Sequence, residues 1–282
     1  IDAASLNIVA TINVGPAPQA IGRFTSGGSA PQMPDTLTGL WWNPAEPGWG
    51  VHVAQRGAKV FAAWFTYNAS GGAKWYVSSD CVMNGPAPQP SFTNPVSCSG
   101  NIYDTTGPRF FSDPYNPGAV VVNKLGLFQM VFDNRDTGSM SVAIGSAVRS
   151  MPLKRQVFAG GSAPATDYTD LWWNPNESGW GIGITQQDGK MFLAWFAYDD
   201  TGTPAWYVAS DCAVNTGGNG CSGDVYRTSG PADPLRNAFD PSKVKVTKVG
   251  TITASFSGAN NGSLSYTVDG KTGTKSITRQ LF

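Results

Sequence analysis

The chain contains only two glutamates, Glu46 and Glu177, and both stand at the same place in a motif that occurs twice, LWWNPAEPGWG at 40–50 and LWWNPNESGWG at 171–181. Each repeat also carries a Ser-Asp-Cys, with Asp80 in the first and Asp211 in the second. Two carboxylates per repeat are the equipment of sugar hydrolysis. The alternative is structural: a carboxylate in the turn after Asn43-Pro44 can accept from backbone N–H groups, or pair with an arginine such as Arg155, whose counterpart is Arg279. Tandem duplication copies structural corners readily, whereas one compact chain seldom carries the same active site twice. The expectation is a non-enzymatic chain with no catalytic residues.

Other chemistry is thinner. A serine nucleophile would want a histidine base, and the single histidine, His52, is replaced by Gly183 in the second copy; on its strand it is expected to be half exposed and idle. The acidic stretch DNRDTGS at 133–139 resembles a calcium loop, but the second copy has GANNGS there without carboxylates, so a hairpin turn accounts for both. Four cysteines fall two to a repeat, Cys81 with Cys98 and Cys212 with Cys221, the second of each followed by a matching stretch. No Cys-x-x-Cys occurs, so one disulfide per repeat is expected rather than zinc, in an oxidising, extracellular or cell-surface setting. Neither metal nor cofactor is expected. The start at Ile1, with no methionine or apolar leader, fits a processed, exported polypeptide. Asn-x-Ser sequons at Asn68, Asn176 and Asn261 sit where polar turn residues would stand in any case.

All ten tryptophans fall in matched pairs: Trp41 with Trp172, Trp42 with Trp173, Trp49 with Trp180, Trp64 with Trp195, and Trp75 with Trp206. Side chains alternate across a strand, so VFAAWFTY at 60–67 puts Phe61, Ala63, Phe65 and Tyr67 on one face and Val60, Ala62, Trp64 and Thr66 on the other. Both faces are apolar. Adjacent Trp41 and Trp42 must likewise point to opposite sides, one into the repeat and one out. A solvated sheet face does not take that composition. The cover must be the sister repeat, another chain or a ligand, and outward indoles could equally stack on sugar rings.

The elements that must position these residues are short strands. Turn signals arrive every eight to twelve residues, at Asn43-Pro44, Arg56-Gly57, Ser70-Gly71-Gly72, Thr106-Gly107-Pro108 and Asp136-Thr137-Gly138, with no helix-period segment between them. The second copy reads as eight strands near 171–174, 180–187, 190–199, 205–212, 221–228, 244–257, 263–269 and 274–282. The fold class expected is all-β, two tandem antiparallel repeats, each a small up-and-down barrel or a compact sandwich. The division is an extended arm and Gly/Pro hinge over 1–36, a first repeat over 37–158, a linker over 159–168 and a second repeat over 169–282. In the arm, Leu6, Ile8, Ala10, Ile12 and Val14 share one side of a strand that has no hairpin partner nearby, so it should pair with an edge, either of its own repeats or, the reading preferred, of a neighbouring chain by strand addition.

Nineteen basic residues balance nineteen acidic ones, and charged residues make up 13% of the chain. No run of either sign offers a footprint for nucleic acid or anionic lipid. No apolar run approaches the length of a membrane-spanning helix.

The paired stretches WWNPAEPGWG and WWNPNESGWG, followed by FAAWFTYNASGG and FLAWFAYDDTGTPAWY, resemble a repeat found in uncharacterised secreted proteins of proteobacteria. The resemblance covers both copies and implies export. The first copy has Glu46-Pro47 where the commoner form is Glu-Ser. Separately, NIVATINVGPAPQ resembles the strands that pilin-type subunits donate to one another. The functional expectation is an extracellular structural subunit that assembles with copies of itself, as filament, sheath or surface layer, through its arm and outer aromatics. The alternative is a secreted carbohydrate- or small-ligand-binding module. For either, the contact residues would be Trp41, Trp42, Glu46 and Trp49 with Trp172, Trp173, Glu177 and Trp180.

Overall fold

The computed structural model describes residues 37–85, 92, 94–111, 114–160 and 164–282. The arm, with Leu6 to Val14, and the first hinge lie outside the described residues, as do three positions of the linker. The first repeat forms β1 (Gly39–Trp42), β2 (Gly50–Arg56), β3 (Lys59–Tyr67), β4 (Ala73–Met83), β5 (Val96–Thr106), β6 (Val121–Phe132), β7 (Thr137–Ile144) and β8 (Ala147–Arg155). The second forms β9 (Asp170–Trp173), β10 (Gly181–Gln187), β11 (Lys190–Tyr198), β12 (Pro204–Val214), β13 (Gly220–Ser229), β14 (Lys245–Phe256), β15 (Asn261–Val268) and β16 (Lys271–Arg279). Each set closes into an antiparallel up-and-down barrel, β8 returning to β1 and β16 to β9. Closure removes the open sheet edge on which strand addition relies. Among the described residues no helix is long and apolar enough to cross a membrane, a statement about helices alone.

The local chemistry explains the closure. Asp269-Gly270, both at positive φ, form the two-residue turn that matches strand twist between β15 and β16. The stretch at 133–139 is a turn as expected: the Asn134 side chain accepts from the N–H groups of Asp136 and Thr137. Disulfides Cys81–Cys98 and Cys212–Cys221 staple β4 to β5 and β12 to β13, one per barrel, with all four cysteines buried. Both are compatible with an oxidising compartment.

Inside, Trp41 packs edge-on to Phe132 at 5.2 Å, and its indole N–H donates to the Leu37 carbonyl; Trp172 donates in the same way to Tyr168. Arg155 and Arg279 stack over these two indoles, at 4.8 and 5.0 Å. The arginines therefore serve the inner tryptophans and do not pair with the glutamates. Outside, the apolar face of each barrel is covered by its sister. Phe65 meets Phe196 and Trp206, and Trp75 meets Phe196 and Tyr198. The Trp75 indole donates to the Ala197 carbonyl at 2.9 Å and, reciprocally, Trp206 donates to the Thr66 carbonyl at 2.8 Å. This is the self-complementary pattern of a two-fold dimer, built within one chain. Close approach is required: a Cβ on Gly107 would lie 2.4 Å from the Tyr198 ring, and one on Gly230 the same distance from Tyr67.

His52 lies on this seam, fully buried, and not half exposed as expected, because the outer face of β2 packs on β9 and β10. It fits only because its counterpart is a glycine: a Cβ on Gly183 would sit 2.4 Å from the His52 ring. Nε2 lies 3.1 Å from the Ile184 carbonyl oxygen, to which it can donate. Burial drives the imidazole pKa down to about 4, against the opposing pull of that carbonyl and of Asp170. Asp170, itself buried, pairs with Arg56 of the first barrel and with Arg279 of its own.

The barrels also exchange plugs. Residues 107–111 and 114–120, between β5 and β6, leave the first barrel and seal the second. Phe110 is fully buried, 4.9 Å from both Trp180 and Trp195 and 5.8 Å from Tyr266. In return the segment between β13 and β14 reaches the first barrel, where Phe239 stacks on Tyr67 at 6.2 Å.

Candidate functional site

Glu46 accepts from the Trp49 indole at 3.1 Å and from Arg149 at 2.7 Å; Glu177 accepts from the Trp180 indole at 3.2 Å and from Lys275 at 2.8 Å. The glutamate thus clamps the second tryptophan of its motif and ties the turn to the last strand of its barrel. The cation is Arg149 or Lys275, where Arg155 and Arg279 were expected. The two sit at different registers of β8 and β16, which is why matching the copies residue by residue does not find them.

The carboxylates of a repeat do not converge. Asp80 takes hydrogen bonds from the Asn101 backbone N–H at 2.9 Å, from the Asn101 side chain at 2.6 Å and from the Tyr103 hydroxyl at 2.9 Å, none of them shared with Glu46. Burial alone would raise its pKa; those hydrogen bonds outweigh burial and hold it low. Asp211, its counterpart, is exposed and pairs with Lys190 at 2.8 Å. The residues of the motif that do come together across the barrels are the tryptophans and their neighbours.

Two grooves run along the seam, one on each side. The first has a volume of about 570 Å³ and is lined by Leu40, Trp42, Gly48 and Trp49 of the first barrel against Trp206, Val208, Tyr226, Thr228 and Val246 of the second. The other, about 420 Å³, is lined by the counterparts: Leu171, Trp173, Gly179 and Trp180 against Trp75, Val77, Tyr103, Thr105 and Val122. Each groove therefore joins the motif of one barrel to the outer wall of β4–β6, or of its equivalent β12–β14, in the other. Adjacent tryptophans explain the placement: Trp41 and Trp172 fill the interiors, so Trp42 and Trp173 must turn outward. They are the two of the ten that are not fully buried. Trp49 and Trp180, also expected as contact residues, reach a groove with part of the ring but are otherwise buried under the glutamate clamp. Trp75 and Trp206, facing outward by alternation, are covered by the seam.

The polar lining is hydroxyl and amide: Ser210, Tyr226 and Gln156 in the first groove, Ser79, Tyr103 and Gln280 in the second, the Thr228 and Thr105 hydroxyls being buried in the wall. The first also has two carboxylates, Asp211 and Asp224, each ion-paired with a lysine at 2.8 Å. On the side of the second groove the position equivalent to Asp224 is Asn101, and Asp80 does not line that groove. Such a lining can stack on an apolar ring face and exchange hydrogen bonds with hydroxyls. Among the described residues no cluster of three or more His, Cys, Asp or Glu is placed to hold a metal ion. The alternation of the motif pointed to the outward tryptophans; the opposite walls come from strands of the other repeat and carry no local signal. Comparison of the chain with protein-family models, with curated proteins and with solved structures gives no match in any of the three.

Proposed function

We propose that the chain is an exported, non-enzymatic binding module that holds a carbohydrate, or a ligand similarly hydroxylated over an apolar ring, in each of its two grooves. The observation that carries this reading is that Trp42 and Trp173, the only indoles of the ten that are not fully buried, each lie in a groove among hydroxyl and amide groups. Both volumes fall within the roughly 300–1,000 Å³ of small-molecule sites. The glutamates support it from behind: each is committed to an indole and a cation, and so stiffens the motif that presents the outer tryptophan. The disulfide staples agree with secretion into an oxidising medium.

Self-assembly by a donated strand draws less support. The outer aromatics that called for another chain are covered by the sister repeat, the barrels are closed, and the arm lies outside the described residues. Calorimetric titration with a panel of neutral oligosaccharides tests the proposal. Two sites per chain are expected. Trp42→Ala and Trp173→Ala should each weaken one of them about tenfold, the worth of one stacked ring, and neither change should disturb the fold. Absence of binding across the panel, or binding indifferent to both substitutions, would reject it.

A further inference from the structure

The two barrel mouths differ although the barrels match. In the second, Phe110 and Phe111 of the exchanged segment fill the mouth, packed on Trp195 at 4.9 and 5.9 Å. In the first, the returning segment brings Asp233, Pro234, Leu235 and Arg236 instead, and a cavity of about 220 Å³ remains beneath them. Its walls are not leftover apolar surface. Trp64 and Tyr76 line it, packed on each other with centroids 5.2 Å apart and 30° from parallel, and Lys74 lies over the Tyr76 ring at 5.3 Å. Lys74 and Asp104 form an ion pair at the wall, and Asp233 pairs with Arg236 at 3.2 Å.

Three of these polar groups belong to the first copy alone: Thr66, Lys74 and Asp104 are answered by Ala197, Ala205 and Arg227. Polarity has therefore been placed where the plug is missing, which a copied scaffold does not require. The Thr66 hydroxyl and the Trp64 indole N–H are both buried and have no hydrogen-bond partner among the described residues. An indole N–H only donates and a hydroxyl can donate, so both suit acceptor oxygens, while the two carboxylates suit hydroxyl donors. The wall charges cancel in pairs, so an ion of either sign gains little. We propose that this cavity is a binding site for an uncharged polyol no larger than a single sugar ring, held beside Trp64 and Tyr76 by Thr66, Asp104 and Asp233. It is separate from the grooves and does not depend on their ligand.

The test is titration of the whole chain with glycerol, myo-inositol and glucose, with acetate and methylammonium as charged controls, following the indole N–H resonances. The Trp64 resonance is assigned by its loss in Trp64→Phe. It should shift saturably with at least one uncharged probe and not with the ions. Thr66→Val, which keeps the volume and removes the hydroxyl, should weaken binding at least tenfold, and Leu235→Phe, which fills the cavity, should abolish it. The double change Trp42→Ala with Trp173→Ala should leave this shift as in the wild type, which separates the cavity from the grooves. No saturable shift with any probe, meaning water only, or equal response to the ions, or wild-type binding by both Thr66→Val and Leu235→Phe, would overturn the assignment.

Discussion

Replacing Phe110 by alanine is expected to destabilise the chain by about 3–5 kcal/mol, as for other fully buried phenylalanines truncated in a packed core. At about 2–4 °C per kcal/mol for a protein of this size, the melting temperature should fall by roughly 6–20 °C. The residue belongs to the first repeat by sequence but to the second by packing, wedged among Trp180, Trp195 and Tyr266. Its loss should therefore weaken both barrels together, in one cooperative transition seen alike by near-ultraviolet dichroism and calorimetry. Leu235→Ala, at the corresponding mouth of the first barrel, borders a cavity already present and should cost much less. Equal effects of the two changes would mean that the exchanged segments do not pack as described.

Acid should destabilise the protein through His52 alone before the carboxylates contribute. Its pKa falls from 6.5 to about 4 on folding, chiefly by burial. Between these values the unfolded chain binds a proton that the folded chain refuses, so stability is fully present above pH 6.5 and is lost as the pH falls to about 4. The loss is about 3 kcal/mol, since each tenfold weakening of proton affinity on folding is worth about 1.4 kcal/mol. Urea unfolding at pH 7 and at pH 4.5 measures it. In His52→Gln, whose amide can keep a donor near the Nε2 position toward the Ile184 carbonyl but cannot take up a proton, the slope over this interval should flatten. An unchanged slope would place the pH dependence elsewhere.

Much of each barrel is legible in the sequence because it rests on local rules. Alternation separates Trp41 from Trp42 and Phe65 from Trp64, and turn residues place the strand ends: the stretch near 190–199 is β11 at Lys190–Tyr198, and that near 221–228 is β13 at Gly220–Ser229. Matched Cys-Ser-Gly stretches give the disulfides. What alternation cannot supply is the identity of the cover. The apolar outer face of β3 demands one, and only the folded chain shows it to be β11 and β12. The same limit hides His52, whose neighbour at the seam is Gly183, and Arg149, whose partnership with Glu46 depends on how far β8 runs past β1. One signal was available: Phe110, Phe111 and Tyr115 lie among prolines and turn residues between two strands. Aromatics in a loop of that length need somewhere to be buried, and the sister barrel is where they go.

The most direct measurement of the central claim is a crystal structure grown with an oligosaccharide that the titration has shown to bind. Sugar rings lying on the exposed faces of Trp42 and Trp173, with hydroxyls toward Ser210 and Tyr226 in one groove and Ser79 and Tyr103 in the other, are the predicted result. Sugar bound away from both tryptophans, or grooves occupied by the leading segment of another copy of the chain, would contradict it.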